Sequence, residues 1–152
     1  MKLIYFVPLL FPILVSADVI PNPALTPGAI DISVTQKNLH NTVCVTGYTS
    51  TVRPGVNYTN KLKKQQIDEY QYTDKDMRHY EEDHLIPLAV GGHPRDPRNL
   101  WPQPWAGTMG ARKKDVLEGW AHRALCSGKI TLAYAQSLFV GDWTVNYHKL
   151  IK

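Results

Sequence analysis

Residues 80–102 read Tyr-Glu-Glu-Asp-His-Leu-Ile-Pro-Leu-Ala-Val-Gly-Gly-His-Pro-Arg-Asp-Pro-Arg-Asn-Leu-Trp-Pro. The pair Asp83-His84 closes a short acidic run, an apolar segment leads to Gly91-Gly92, and a polar loop ends at Asn99-Leu100-Trp101. Two strand-like runs separated by a glycine turn and a Pro-, Asp- and Arg-rich loop predict a β-hairpin. It places an acid, a base and an amide at the hairpin's ends. Successive strand side chains point to opposite faces, so Asp83 and His84 serve one site only where the strand ends or bulges.

Around the hairpin the pattern changes. Residues 42–48 alternate apolar and polar side chains and predict a short N-terminal strand ending at Gly47. Thr59 is placed to cap a helix from Asn60 to about Tyr70, with Lys61, Lys63 and Lys64 near its start. Leu117, Trp120, Ala121, Ala124 and Leu125 form one apolar helical stripe, with Thr108 as a cap and Gly128 as a stop. A second helix begins near Thr131 and buries Leu132, Ala135, Leu138 and Phe139, and Asp142-Trp143 closes the core. Runs of helices beside one hairpin make the fold class α+β.

The chain begins with Lys2, an apolar run from Leu3 to Val15, and small residues at Ser16-Ala17. That pattern predicts a signal peptide, residues 1–17, cleaved before Asp18, and hence export to the periplasm or the medium. Removing 17 residues from 152 leaves 135, enough for one domain of moderate core. The lost segment carries one lysine and no acid, so the net charge falls from +4 to +3, a mild bias toward an anionic partner. Residues 18–35, punctuated by Pro21, Pro23 and Pro27-Gly28, read as an extended arm, and residues 36–152 as the functional domain. No membrane contact is expected after cleavage, and the expected state is a monomer.

Cys44 and Cys126 are the only cysteines, and no C-x-x-C pair suggests a zinc knuckle. Export favours a disulfide over two buried thiols. Neither GxGxxG nor Gly-x-Ser-x-Gly occurs, which leaves dinucleotide and serine-hydrolase chemistry without a signature.

Hydrolysis of a phosphodiester requires a base for water, neutralised phosphate charge and a stabilised leaving oxygen. An imidazole held by a carbonyl through its other nitrogen suits the first task, which assigns His84 as base. Asp83, a hard oxygen ligand, suits Mg²⁺ or Mn²⁺. Asn99 stands across the turn, where its amide oxygen can ligate metal or orient the base. Arg95 and Arg98 in the loop and Lys113 and Lys114 at the helix start are the candidate phosphate contacts, with Asp96 and Asp115 as competing partners for the arginines. Lys114, near the inner edge of its helix, equally suits a snorkelling role. Trp101 and Trp105 suit stacking on unpaired bases or a lid over the core.

Asp83-His84-Leu85-Ile86-Pro87-Leu88 with Gly91-Gly92 and Asn99-Leu100 resembles the HNH family of endonucleases. The similarity extends over roughly residues 25–147, through Lys114-Asp115, Glu118, His122, Cys126 and Asp142-Trp143, and there resembles a branch of exported HNH-like proteins. The resemblance implies a ββα-metal, hairpin-plus-helix core around one divalent ion, with additional helices. It further implies Asp83 as metal ligand, His84 as general base and Asn99 as ligand or base-orienting residue. The expected ion is Mg²⁺ or Mn²⁺, with Zn²⁺ or Ni²⁺ as softer alternatives, and the expected substrate is DNA ahead of RNA. Many family members carry a further His or Asn at the helix start, where this sequence has Met109-Gly110. Asp115, Glu118 and His122 share a helix face away from the apolar stripe, which favours a solvated or DNA-facing surface over metal ligation. The competing reading is a nucleic-acid-binding or envelope interaction module on the same scaffold, without catalysis.

Overall fold

The computed structural model describes residues 19–151, so the expected signal peptide lies outside the described residues. The hairpin forms as expected. Strands β1 (Tyr80–His84) and β2 (Leu100–Pro104) pair antiparallel, from Tyr80 opposite Pro104 to His84 opposite Leu100. Bonds from Leu85 N to Asn99 O and from Trp105 N to His79 O fix the hydrogen-bonded pairs at odd positions. Pro102 and Pro104 therefore fall where the ladder needs no N–H. Within 85–99 the chain is held by short 3₁₀ turns at Leu88–Val90 and Pro97–Asn99. Gly91 takes φ 78 in this loop. A Cβ on Gly92 would stand 1.7 Å from the Ile86 carbonyl oxygen, so only glycine permits that approach.

Two strands alone are marginal in water, and helices cover them. The hairpin packs against α2 (Val56–Glu69), which buries Leu62, Gln66 and Ile67. This helix starts four residues before the expected Asn60, with Gly55 at its cap. Thr59 lies inside it, its hydroxyl donating to the Val56 carbonyl. Helix α3 (Ala111–Cys126) buries Ala111, Lys114, Leu117, Ala121, Ala124 and Leu125, so the expected stripe forms with Trp120 only half-buried and extends back through Lys114 to Ala111. Gly110, not Thr108, precedes it, and Gly128 at φ 73 ends it, with Gly128 N donating to Leu125 O and Lys129 N to Ala124 O.

Helix α4 (Leu132–Ser137) is capped by the Thr131 side chain, and Leu132, Ala135, Leu138 and Phe139 are buried as expected. Trp143 is fully buried, but it also opens a helix that the sequence reading did not contain, α5 (Trp143–Leu150), capped by Asp142. The expected strand over 42–48 is absent. Those residues turn instead, with Cys44 N bonded to Leu39 O and Val45 N to Thr42 O, before α1 (Tyr48–Val52). The alternation there reflects Val43 facing the core and Val45 facing solvent without a partner strand to extend against. Cys44 and Cys126 are bridged, their Cα atoms 5.5 Å apart, tying this segment to the end of α3.

The arm is part of the domain. Gly28 N donates to Arg98 O, Asp31 N to Gly91 O and His93 N to Ala29 O, while the Trp143 indole donates to Val19 O. The chain is thus a mixed α+β fold of five helices and one two-stranded antiparallel sheet among the described residues.

Candidate hydrolytic site at the end of the hairpin

His84 is the last residue of β1, and the chain bends directly after the Asp83-His84 pair. The imidazole is buried, and its Nε2 lies 3.0 Å from the Pro94 carbonyl oxygen. A carbonyl only accepts, so Nε2 carries the proton and Nδ1 the lone pair. Burial holds the His84 pKa below the ordinary histidine value, against the opposing pull of the Pro94 carbonyl and Asp83. The group is therefore a neutral acceptor at neutral pH.

Asn99 is wholly buried and acts on the backbone. Its Oδ1 accepts from Ile86 N at 2.9 Å and Ala29 N at 3.3 Å, and its Nδ2 donates to Ile86 O at 3.0 Å and His93 O at 3.1 Å. With the amide oxygen engaged by two N–H groups, Asn99 locks the loop that carries Pro94 onto His84. All four of its hydrogen bonds go to main-chain groups.

Asp83 is nine-tenths buried, its Oδ2 2.8 Å from the ammonium of Lys114. That ammonium is fully buried. It also donates to the His84 carbonyl oxygen at 2.8 Å and to Glu118 Oε1 at 2.5 Å, and lies 5.3 Å from the centre of the Phe139 ring. Burial alone would lower the Lys114 pKa, but the Asp83 and Glu118 carboxylates outweigh it and raise it, so the group is charged. The assignment of Lys114 as a phosphate contact is corrected by this placement. The reason is visible in its spacing: Lys114 is three residues before Leu117 and seven before Ala121, inside the apolar stripe, and the i, i+4 pair with Glu118 was the available signal.

The helix face expected to meet solvent divides. Asp115 is exposed, but Glu118 turns to Lys114 and His122 Nε2 donates to the Val43 carbonyl oxygen at 2.8 Å. Burial raises the pKa of Glu118 and pushes Glu81 up to about 7, with the Asp83, Asp115 and Glu118 charges adding to the rise of Glu81. Arg95 is exposed, its guanidinium 5.6 Å from the centre of the Tyr58 ring. Arg98 is engaged by Asp96 at 2.6 Å. Lys113 is exposed, beside Tyr147. Trp101 is completely buried against Tyr70 and has no face for a base, whereas Trp105 is 41 % exposed. Arg53, which carries no motif in the sequence, places its positive charge where both His84 and Asp115 feel it. Only the folded α1 turn brings it there.

Among the described residues, no three His, Cys, Asp or Glu side chains converge as a ready metal cage, and no helix is long and apolar enough to cross a membrane. The site is thus a buried neutral imidazole at a strand end, backed by a lysine-carboxylate cluster, on an α+β domain. No family model, curated protein or solved structure matches the chain.

Proposed function

We propose that the chain is an exported, metal-dependent HNH-type endonuclease that hydrolyses phosphodiester bonds of DNA, or of RNA, with low sequence specificity. In this reading β1, β2 and α3 form the ββα core. The observation that carries the proposal is His84: a buried imidazole with Nε2 on the Pro94 carbonyl and Nδ1 left as proton acceptor. Nδ1 takes the proton from the attacking water, and Asn99 keeps the ring in register through the 93–99 loop.

Asp83 keeps Oδ1 outside its contact with Lys114 and is the residue that would hold the ion. One hard carboxylate oxygen suits Mg²⁺ or Mn²⁺ completed by water and substrate phosphate, with Zn²⁺ or Ni²⁺ as softer alternatives. When bound, such an ion supplies neutralisation of the phosphate and of the leaving oxygen. Arg95, Lys113 and Arg53 are exposed cations placed to contact backbone phosphates, and contacts of that kind carry no base readout.

Plasmid DNA tests the proposal. Wild type cuts in Mg²⁺ or Mn²⁺, stops in EDTA and recovers when the ion is restored. His84→Ala loses roughly 100-fold or more in rate, with folding intact and DNA retention in a gel shift within a few-fold of wild type. A His84→Ala protein that cuts as fast as wild type removes His84 as base. Wild-type protein that retains DNA yet never cuts it is the non-catalytic module instead.

A further inference from the structure

A lysine buried completely is rare unless it is paired, and Lys114 is paired three ways. Its ammonium sits 2.8 Å from Asp83 Oδ2, 2.5 Å from Glu118 Oε1 and 2.8 Å from the His84 carbonyl oxygen. One positive charge is thus shared by a helix carboxylate, a strand carboxylate and the main chain of the residue that carries the imidazole. The shell is all oxygen, as the shell of a hard cation is. The cation that fills it belongs to the chain.

We propose that the Lys114 ammonium is the resident cation of this site: a positioning residue that fixes Asp83 and the end of β1, and that keeps the affinity for a free divalent ion low until nucleic acid supplies further oxygens. The inference rests on the reading of Asp83 as the ion-holding residue. Two consequences follow from the distances. Asp83 Oδ2 is claimed, so Asp83 meets an incoming ion through Oδ1 alone. The ammonium also repels any second cation placed a few ångströms away, an effect strongest where water is excluded. Glu118 anchors the lysine from its own helix, one turn on, so the helix contributes a charge carrier where a metal ligand was sought. Removing the lysine while leaving both carboxylates turns a filled oxygen shell into a vacant anionic one.

The test is binding of Mn²⁺ alone to the purified chain, followed by electron paramagnetic resonance of the free ion, with thermal melts to verify folding. Lys114→Met should bind Mn²⁺ about tenfold or more tightly than wild type. Adding Asp83→Asn to that variant should return the affinity to the wild-type level. If Lys114→Met does not fold, the charge-conserving Lys114→Met with Glu118→Gln replaces it and should still bind Mn²⁺ more tightly than wild type. A folded lysine variant that binds Mn²⁺ no better than wild type overturns the proposal. The wild-type protein gives an independent readout: the Lys114 ammonium should show a slowly exchanging Nζ signal in a lysine-selective nuclear magnetic resonance spectrum, and absence of that signal also overturns it. Neither measurement uses cleavage, so a protein that cuts no DNA still decides the question, and failure of the nuclease reading is seen separately on plasmid.

Discussion

Glu82 is the least comfortable residue of the hairpin. Both of its carboxylate oxygens are buried without a hydrogen-bond partner among the described residues. Burial pushes its pKa up to about 9, Lys63 opposing and Asp83 assisting the rise. The unfolded chain releases this proton near 4.5, the ordinary value, while the folded chain keeps it until about 9. Between those values the native state binds the extra proton, so stability falls as pH rises through the window. Glu82→Gln, which mimics the protonated form, should match wild type near pH 4.5 and melt roughly 10 °C or more higher at pH 8. Melting curves at the two pH values test this; an equal gap at both would show that the carboxyl does not titrate as argued. The sequence showed Glu82 only as part of an acidic run, because burial by α2 is a tertiary fact. The position of His84 at a strand end was legible for the opposite reason, since the neighbouring acid and the glycine turn are local.

Across elements, the hairpin loop depends on one amide. Asn99 joins Ile86, Ala29 and His93 through four hydrogen bonds, so it ties the two ends of the loop to each other and to the arm. Asn99→Ala should cost about 3 kcal/mol, since several buried backbone groups lose their partner together. Equilibrium unfolding in denaturant without added metal measures it. A loss below about 1 kcal/mol would mean that the loop holds without the amide. The hairpin was legible from its glycine turn and polar loop, and α3 and α4 from period-3.6 stripes with Gly128 ending one and Thr131 capping the other. The strand over 42–48 was misread because Thr-Val-Cys-Val-Thr alternates without any neighbour to pair with. Helix α5 was hidden because Trp143 reads as a core plug, and only its Asp142 cap marks a start.

At the scale of the molecule, two features hold distant segments together: the arm, which runs from Val19 at Trp143 to Asp31 at Gly91, and the Cys44–Cys126 bridge. The arm's prolines foretold an extended path, but its hydrogen bonds to the 91–100 region depend on where the loop goes. The bridge spans 82 positions and encloses α1, α2, the hairpin and α3. Val43 is buried beside it, and the Val43 carbonyl accepts from His122, so the native contacts around Cys44 do not depend on the sulfurs alone. The bridge should therefore act chiefly on the unfolded chain, where closing a loop of this size is worth roughly 4 kcal/mol. Cys44→Ser with Cys126→Ser should fold at 20 °C, retain there the plasmid cleavage proposed for wild type, and melt roughly 10 °C lower. Reduction of the wild-type protein should shift the melt by a similar amount, with loss of activity on heating following the unfolding curve. Mass spectrometry of the unreduced protein that finds two alkylatable thiols would reject the bridge. A double-serine variant that is folded but inactive at 20 °C would show that the covalent tie, and not the packing around it, sets the geometry at His84.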